Sequence, residues 1–344
     1  MKIIFQRSCN LIFLGLTVLL FSHQLHAQQN KSSWKAGVDK VEITPEGSIW
    51  MGGYAARKKP SDGVRHSVWA KALAIEDSNG KLAVIVTTDL LAFRKFLSDN
   101  IRDQLKKKYG LSRDQIILNS SHTHTGPETD YPRYEFQLSK EEYNKIKQFA
   151  NRVEQEIVEL VGNAIKALEP VTLSSDNGVT RFQVNRRNNK EAQLNAQTEL
   201  KGPNDYAVPV IKVEDFKGNV KAILFGYACH PTVLSDYQLS GDYAGFAQIE
   251  LEKLYPGATA LFFQGAGADQ NPLPRRSAPL AQQYGKELAA AVERVINEDM
   301  NVLEGTLSTA YSEIDLTFAK DVPTKSELED IISGVIPGYP DYLK

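Results

Sequence analysis

The sequence predicts an α/β fold in which a mixed sheet, or sheets, is flanked by helices within a single domain. Short apolar runs typical of buried strands alternate with longer runs whose apolar residues recur at helical spacing. No internal repeat, low-complexity stretch or proline-rich linker interrupts this alternation. The chain of 344 residues is long enough for one large core or two modest ones. Alternating strands and helices favour helices packed on a mixed sheet.

The first strands are predicted at 34–44, 70–75 and 82–88, where β-branched and other apolar residues cluster. The last two flank Asp77-Ser78-Asn79-Gly80, a turn sequence able to supply positive φ at Asn79 and Gly80. We therefore expect a hairpin here.

Helical spacing of apolar residues follows at 93–109, and an apolar run at 115–119 predicts a buried strand. Ser139 with Glu142 forms a capping-box sequence ahead of a long amphipathic stretch that Pro170 ends. A long helix between them is the expected result.

The second half continues in the same manner. Strands are predicted at 208–213, 222–228 and 259–264, and helices at 243–254 and 279–297. The polar loops between these elements are the places where chemistry is expected.

The composition excludes some functions. A formal net charge of -2 gives no positive field for nucleic acid, so no nucleic-acid partner is predicted. Apart from Cys9, the only cysteine is Cys229, which lies in an apolar stretch. We favour a buried, inert thiol at Cys229 over a reactive nucleophile.

The N-terminus carries an export signal. Basic residues precede an apolar run at 11–21, and Leu-His-Ala ends the segment at Ala27, the order expected of a secretory signal peptide. The run is shorter than the roughly 18 apolar residues of a membrane span. We assign 1–27 as signal peptide and 28–344 as one domain, and expect a periplasmic or extracellular protein.

Two histidines follow the strand predicted at 115–119, in the segment His122-Thr123-His124. If the extended backbone continues through this segment, residues two apart point the same way and both imidazoles share one side. Neutral imidazole is a good zinc ligand. Taken alone, however, the pattern is more typical of two loop histidines hydrogen-bonded to the backbone.

Two further polar loops follow apolar strands. His230 comes after the strand at 222–228, and the small residues at 265–268 lead to Asp269 and Asn271. A capping histidine and a tight turn held by Asp269 are the alternatives for these loops. Because each loop directly follows a strand, we expect a site built at one edge of a sheet.

A series of short motifs occurs in a characteristic order along the chain. They are Ala36-Gly37-Val38-Asp39, Ile43-Thr44-Pro45, Met51-Gly52-Gly53-Tyr54-Ala55, His122-Thr123-His124-Thr125-Gly126-Pro127, Asn185-Arg186, His230-Pro231-Thr232, Asp242 with Gly245-Phe246-Ala247, and Asp269 with Pro272. In combination these motifs resemble the neutral, non-lysosomal ceramidase family over nearly the whole chain after the signal peptide.

The resemblance implies a Zn2+-dependent hydrolase that cleaves the amide of an N-acyl sphingoid base. His122 and His230 would be metal ligands, and His124 would touch the scissile amide or its oxyanion. Arg186 and Tyr54 would bind the substrate. Zinc lowers the pKa of bound water to about 7 and polarises a carbonyl, and an imidazole can pass a proton to the leaving amine. The implied partner is a small-molecule lipid or N-acyl substrate, with peripheral membrane contact only through that substrate.

One departure from the family pattern concerns catalysis. Alignment on Asp269 and Pro272 places Asn271 where the family has a serine associated with catalysis. Asparagine cannot act as a nucleophile, but it can donate a hydrogen bond to an oxyanion. We therefore take Asn271 and Asp269 as catalytic candidates and expect a variant chemistry, or another periplasmic amide or ester as substrate.

The second departure concerns the metal. The family's glutamate and tyrosine ligands belong to a following stretch, so the remaining ligands are expected beyond Lys344 and the domain is expected to be incomplete at its C-terminus. Asp89, Asp242 and Asp269 are in-chain carboxylates, although each is more typical of a turn or a supporting residue. An inactive, truncated copy that binds lipid without hydrolysing it is the non-enzyme alternative.

Overall fold

A computed structural model describes residues 34–134, 137–196, 198–317 and 322–333. The signal peptide predicted at 1–27 lies outside the described residues. The chain divides into two units, Met1–Thr309 and Ala310–Lys344. Within the described ranges, every helix is too short or too polar to cross a membrane.

The first half of the larger unit begins with antiparallel strands and ends with a long helix. Its elements are β1 (Trp34–Glu42), β2 (Gly63–Val64), β3 (Trp69–Asp77), β4 (Leu82–Thr88), α1 (Lys95–Tyr109), β5 (Ile116–Ser120) and α2 (Lys140–Lys166). The predicted hairpin is present between β3 and β4, with positive φ at Gly80 but not at Asn79. Ser139 caps α2 as expected, because its Oγ accepts a hydrogen bond from the Glu142 N–H.

The second half contains the remaining strands. Its elements are β6 (Glu169–Val179), β7 (Gln183–Asn185), β8 (Ala207–Asp215), β9 (Val220–Tyr227), β10 (Gln238–Leu239), α3 (Asp242–Leu254), β11 (Thr259–Gln264), β12 (Gln270–Pro272), α4 (Ala278–Ile296) and β13 (Asn301–Val302). In the described part of the smaller unit there is one short helix, α5 (Lys325–Ile332), which opens on a capping box between Thr324 and Glu327.

The sequence did not predict β6, although this strand has eleven residues and lies at the centre of the sheet. Its second half reads Ser-Ser-Asp-Asn-Gly, residues that are depleted in strands. β8 pairs with β6 from Val171 to Val179, while β1 pairs with the start of β6 and β13 with Ser174 and Ser175 on the other side, and these hydrogen bonds hold the strand extended. Tertiary pairing therefore overrides the weak local preference.

The large mixed sheet has the strand order β11-β9-β8-β6-β1-β3-β4-β5. Its outermost pairs, β11 with β9 and β4 with β5, are parallel, and the inner pairs are antiparallel. The two halves share one order of elements, since β1-β3-β4-α1-β5-α2 matches β6-β8-β9-α3-β11-α4. This internal correspondence is structural, because the sequence has no evident repeat.

Alternate residues of the strands face two different cores. Ala260 and Phe262 of β11 pack with α3 and α4, whereas the intervening Leu261 packs with residues of the opposite half of the sheet, such as Leu73. Likewise β3 and β4 present their other faces to α1 and α2. The predicted helices flanking a mixed sheet are confirmed, with the sheet folded so that its halves face each other.

A buried lysine links the two halves. Lys71 on β3 is 3% exposed, and its Nζ donates to the Ala260 carbonyl of β11 at 2.7 Å and to Glu252 Oε1 of α3 at 2.9 Å. A buried ammonium is tolerated only when it is paired in this way. This contact holds the ends of β3 and β11 together beneath the polar loops.

Candidate active site

The three polar loops meet at one edge of the folded sheet, beyond the ends of β5, β9 and β11. His122 and His124 follow β5, and His230 follows β9. One ring nitrogen from each of these three histidines lies within 4.8 Å of those of the other two. The ring centroids of His122 and His230 are 4.9 Å apart, so their imidazoles are close enough to share one ion.

The reason for the proximity of His122 and His124 differs from the one expected. The backbone does not continue as a strand, because β5 ends at Ser120 and His122 has a left-handed φ of 62°. The expectation that an extended segment aligns the two rings was therefore wrong. A turn at His122 presents both rings instead, with their centroids 5.1 Å apart.

His122 is held by the segment that follows β4. Its backbone N–H donates to the Leu90 carbonyl at 3.0 Å, and its Nδ1 lies 2.8 Å from the Leu91 carbonyl. Because a carbonyl can only accept, Nδ1 carries the hydrogen, and the lone pair is on Nε2. The ring is thus oriented with its basic nitrogen free for a ligand.

His230 is oriented by the loop after β11. Its Nδ1 lies 2.7 Å from the Gly267 carbonyl and 3.2 Å from the Gln270 carbonyl, so its Nε2 also keeps the lone pair. A Cβ on Gly267 would come within 2.5 Å of the Cys229 nitrogen, so only glycine allows this approach. Burial lowers the pKa of His230 to about 4, and the ring is neutral at pH 7.

His124 has a different environment. Both ring nitrogens are buried, and neither has a hydrogen-bond partner among the described residues. Gly53, at φ 95°, lies against the ring, and a Cβ there would be 2.4 Å from His124 Cγ. The Tyr54 ring packs edge-on at 4.8 Å. Burial first, and then the charges of His122 and His230, lower the pKa of His124 to about 3, which keeps it neutral.

The donor set fits a metal ion. His122 and His230 each offer an Nε2 lone pair, and the buried nitrogens of His124 lack partners. In the described part of the chain, this cluster contains no carboxylate. Neutral imidazoles are preferred ligands of zinc and of other late transition metals.

The in-chain carboxylates considered as ligands support loops instead. Asp89 accepts from the Trp69 N–H at 3.0 Å, and Asp242 accepts from the Leu234 N–H at 2.8 Å. Asp269 accepts from Asn185 Nδ2 at 2.9 Å.

Two clefts adjoin the histidines, with volumes of about 500 and about 330 Å³. Both are lined by His122, His230 and Arg186. Arg186 reaches this position because β7 pairs with β12, and its N–H donates to the Asp269 carbonyl at 2.7 Å. Burial lowers the pKa of the Arg186 guanidinium. Tyr54 lines the smaller cleft together with His124.

Asp269 and Asn271 stand outside the lining of both clefts. Asn271 lies on β12 opposite Val184 and is 6% exposed, and its Oδ1 has no hydrogen-bond partner among the described residues. Asp269 contacts the site through Asn185 and through the backbone of Arg186.

Sequence reasoning did not select Arg133 or Tyr134, which line the smaller cleft. Both belong to a short 3-10 helix, Tyr131–Tyr134, between the histidine loop and α2. Their only signal in the sequence is a cationic and an aromatic residue within that long connection. The Tyr134 hydroxyl donates to Glu128 Oε2 at 3.2 Å, which fixes this wall of the cleft.

The fold and the site together define an α/β protein with a three-histidine candidate metal centre at one edge of a folded mixed sheet. Residues 34–272 match the family described as neutral/alkaline non-lysosomal ceramidase, N-terminal. The chain belongs to this family, as the motifs in its sequence implied.

Relatives and solved structures agree with this membership. Neutral ceramidase A of Dictyostelium discoideum is 27% identical over 243 residues, covering 67% of this chain and 33% of that protein. Neutral ceramidase of Oryza sativa subsp. japonica is 27% identical over 284 residues, covering 78% of this chain and 33% of that protein. The chain thus spans about a third of the length of these relatives.

The fold matches the crystal structure of neutral ceramidase from Pseudomonas aeruginosa with a TM-score of 0.66 and 22% identity, covering 80% of this chain and 46% of the other. A structure titled as ceramidase complexed with C2 gives a TM-score of 0.67 at 22% identity, covering 80% of this chain and 45% of the other. At this identity the likeness extends to the fold.

Proposed function

We propose that this protein is a zinc-dependent hydrolase that cleaves the amide of an N-acyl lipid, in the manner of a ceramidase. The observation that carries the proposal is the pair of imidazoles from separate loops, His122 and His230, whose rings are 4.9 Å apart and whose Nδ1 atoms are both bonded to carbonyls. Membership of the ceramidase family supports it.

His122 and His230 would hold the metal through Nε2, because the backbone carbonyls of Leu91 and Gly267 engage their Nδ1 atoms. Such carbonyl contacts fix the tautomer and the ring orientation of a ligand histidine. When bound, zinc supplies a Lewis acid for the acyl carbonyl and lowers the pKa of water.

His124 would transfer the proton that the leaving amine needs. Its ring is neutral at pH 7 and its nitrogens have no protein partner, so it can accept a hydrogen and return it to the leaving amine. Gly53 and the edge of Tyr54 hold this ring beside the other two histidines.

Substrate binding is assigned to Arg186 and Tyr54, which line the clefts. Asp269 would act through Arg186, because the main-chain carbonyl of Asp269 accepts a hydrogen bond from the Arg186 backbone N–H at 2.7 Å. We propose that Asn271 donates a hydrogen bond to the developing oxyanion in place of the family's serine, a role that requires its amide to turn into the cleft because Asn271 stands outside the lining of both clefts. The same substitution favours a second candidate function, hydrolysis of another periplasmic amide or ester.

The decisive experiment measures zinc and hydrolysis on the same purified sample of the full chain. We expect about one zinc per chain after zinc is supplied, and release of fatty acid from a labelled ceramide or from a panel of simple N-acyl compounds. Activity on the panel but not on ceramide would select the second candidate function. Failure to bind zinc and to hydrolyse any compound would instead support the inactive, lipid-binding alternative.

We also propose that the protein is exported. The basic residues, the apolar run at 11–21 and the small residue Ala27 support this assignment. An exported hydrolase would meet its N-acyl substrates in the periplasm or outside the cell.

A further inference from the structure

The clefts beside the histidine cluster are lined by cations. Arg186 lines both clefts and Arg133 lines the smaller one, whereas no aspartate or glutamate lines either cleft in the described part of the chain. A neutral head group would leave this concentration of positive charge without a counter-charge.

We infer that these clefts take N-acyl substrates whose head group carries an anion, a carboxylate or a phosphate. The inference rests on the proposed amidohydrolase function and adds the charge of the substrate. Carboxylate and phosphate oxygens match the planar fork of a guanidinium and can accept two parallel hydrogen bonds from it.

The first support is the hydrogen bonding of the Arg186 side chain. Its Nε is buried and has no hydrogen-bond partner within the described ranges. By contrast, Arg275 pairs with Glu191 at 2.6 Å. Arg57 also has a buried Nε without a partner in the described structure, but its Nη1 donates to the Gly52 carbonyl at 2.6 Å. A buried, unpartnered donor facing a cleft is the group that an anionic ligand would satisfy.

The surrounding charges give independent support. Arg187 and Arg275 act on Arg186 with like charge, whereas Asp269 opposes them. The Asp269 carboxylate already accepts from Asn185 Nδ2 at 2.9 Å. In the described structure, the Asp269 carboxylate therefore bonds the Asn185 amide and forms no ion pair with the Arg186 guanidinium.

Arginines also lie beside Tyr54, which lines the smaller cleft. The guanidinium of Arg57 lies 4.9 Å from the centroid of the Tyr54 ring and that of Arg276 lies 5.7 Å from it. Near Arg133, the carboxylate of Glu128 is engaged by the N–H groups of Thr129 and Asp130 at 2.9 Å each. The Glu128 carboxylate therefore bonds the loop, and in the described structure it forms no ion pair with Arg133.

A matched substrate pair tests the inference on the full, zinc-loaded protein. N-octanoylglycine and N-octanoylethanolamine share the acyl chain and the amide, and they differ in a terminal carboxylate or hydroxyl. We expect kcat/KM to be about tenfold or more higher for the carboxylate, each tenfold being about 1.4 kcal/mol. Raising the salt concentration should reduce this ratio. O-phosphorylated N-octanoylethanolamine distinguishes a phosphate preference from a carboxylate preference.

Arginine variants test which side chains cause the preference for anionic substrates. R186Q and R133Q should each lower the ratio of anionic to neutral kcat/KM, a ratio that does not depend on the fraction of folded protein. R294Q is the matched control, because Arg294 is exposed on α4 and pairs only with Glu298 at 3.0 Å in the described structure. The ratio should be unchanged in R294Q.

Calorimetric binding of the same pair separates this inference from the proposed function. If the protein hydrolyses neither compound, tighter binding of N-octanoylglycine that weakens in R186Q still supports an anion site while the amidohydrolase proposal fails. Equal binding and equal kcat/KM for the charged and neutral compounds at low salt would overturn the inference, whatever the activity.

Discussion

The side-chain amide of Asn119 bonds both main-chain groups of Gln264. Its Oδ1 accepts from the Gln264 N–H at 2.9 Å, and its Nδ2 lies 3.3 Å from the Gln264 carbonyl. The two residues lie on β5 and β11, the opposite edges of the strand order, and both line the larger cleft. One carboxamide therefore joins the edges where the sheet folds back on itself, next to the histidine loops.

Replacing Asn119 with alanine removes both hydrogen bonds to Gln264. We expect the free energy of unfolding to fall by about 1–3 kcal/mol, because two hydrogen bonds are lost and the Gln264 groups lose their partner. Urea unfolding measures the change. Asn119→Asp is the matched variant, since it keeps the acceptor, loses the donor and should be intermediate if main-chain bonding is the cause. Unchanged stability in Asn119→Ala would show that the edges are held by other contacts.

Gly53 is expected to be essential for the placement of His124. Gly53→Ala adds a Cβ that would lie 2.4 Å from His124 Cγ, at a φ of 95°. Turnover should fall by at least about tenfold, with zinc retained and stability reduced by about 1–3 kcal/mol. Gly47→Ala is the control, because Gly47 has a similar φ of 83° with open space around it. Equal activity in both variants would remove the steric explanation.

Loss of either proposed ligand should abolish zinc retention. His122→Ala or His230→Ala leaves one imidazole of the proposed pair, and a single imidazole supplies too few donor atoms to retain zinc. Metal analysis after gel filtration is the measurement. His124→Ala is the comparison and should retain zinc while losing turnover. Stoichiometric zinc in His122→Ala would contradict the ligand assignment.

Asn271 is expected to contribute to turnover alone. Asn271→Ala should leave the zinc content unchanged and reduce kcat by about 10²- to 10³-fold, the loss typical of removing one oxyanion donor. Single-turnover kinetics on the best substrate, beside metal analysis, tests this. If kcat is unaffected, the oxyanion role belongs to another group.

Export predicts a defined new N-terminus. Cleavage after Ala27 would leave Gln28 as the first residue of the mature chain. N-terminal sequencing or intact mass of protein recovered from outside the cytoplasm would identify it. Full-length protein that remains in the cytoplasm would contradict the proposal.

Much of the fold follows from local pattern. Apolar periodicity was sufficient for α1, α2 and the edge strands, because each buries a regular apolar face. It was insufficient for β6, whose polar second half is extended only because strands pair on both sides of it. The folding of the sheet onto itself likewise could not be predicted from the sequence, since it depends on contacts such as that between Lys71 and Ala260.

For the site, residue type and order were enough to select His122, His124, His230, Arg186 and Tyr54, because each lies in a loop that follows a strand or belongs to a recognisable motif. They were not enough to predict Arg133, because a cation within a long connection is a weak signal and only the tertiary structure places Arg133 in the lining of the smaller cleft.

The sequence by itself determined the family, the alternation of strands and helices, and the histidines available for chemistry, since these reside in local periodicity and motif. Only the tertiary structure decided that these histidines converge, which nitrogens they present, and that Asp269 and Asn271 stand outside the clefts. Those facts depend on carbonyls and glycines distant in the chain, such as Gly267, which lies near His230 because β11 pairs with β9.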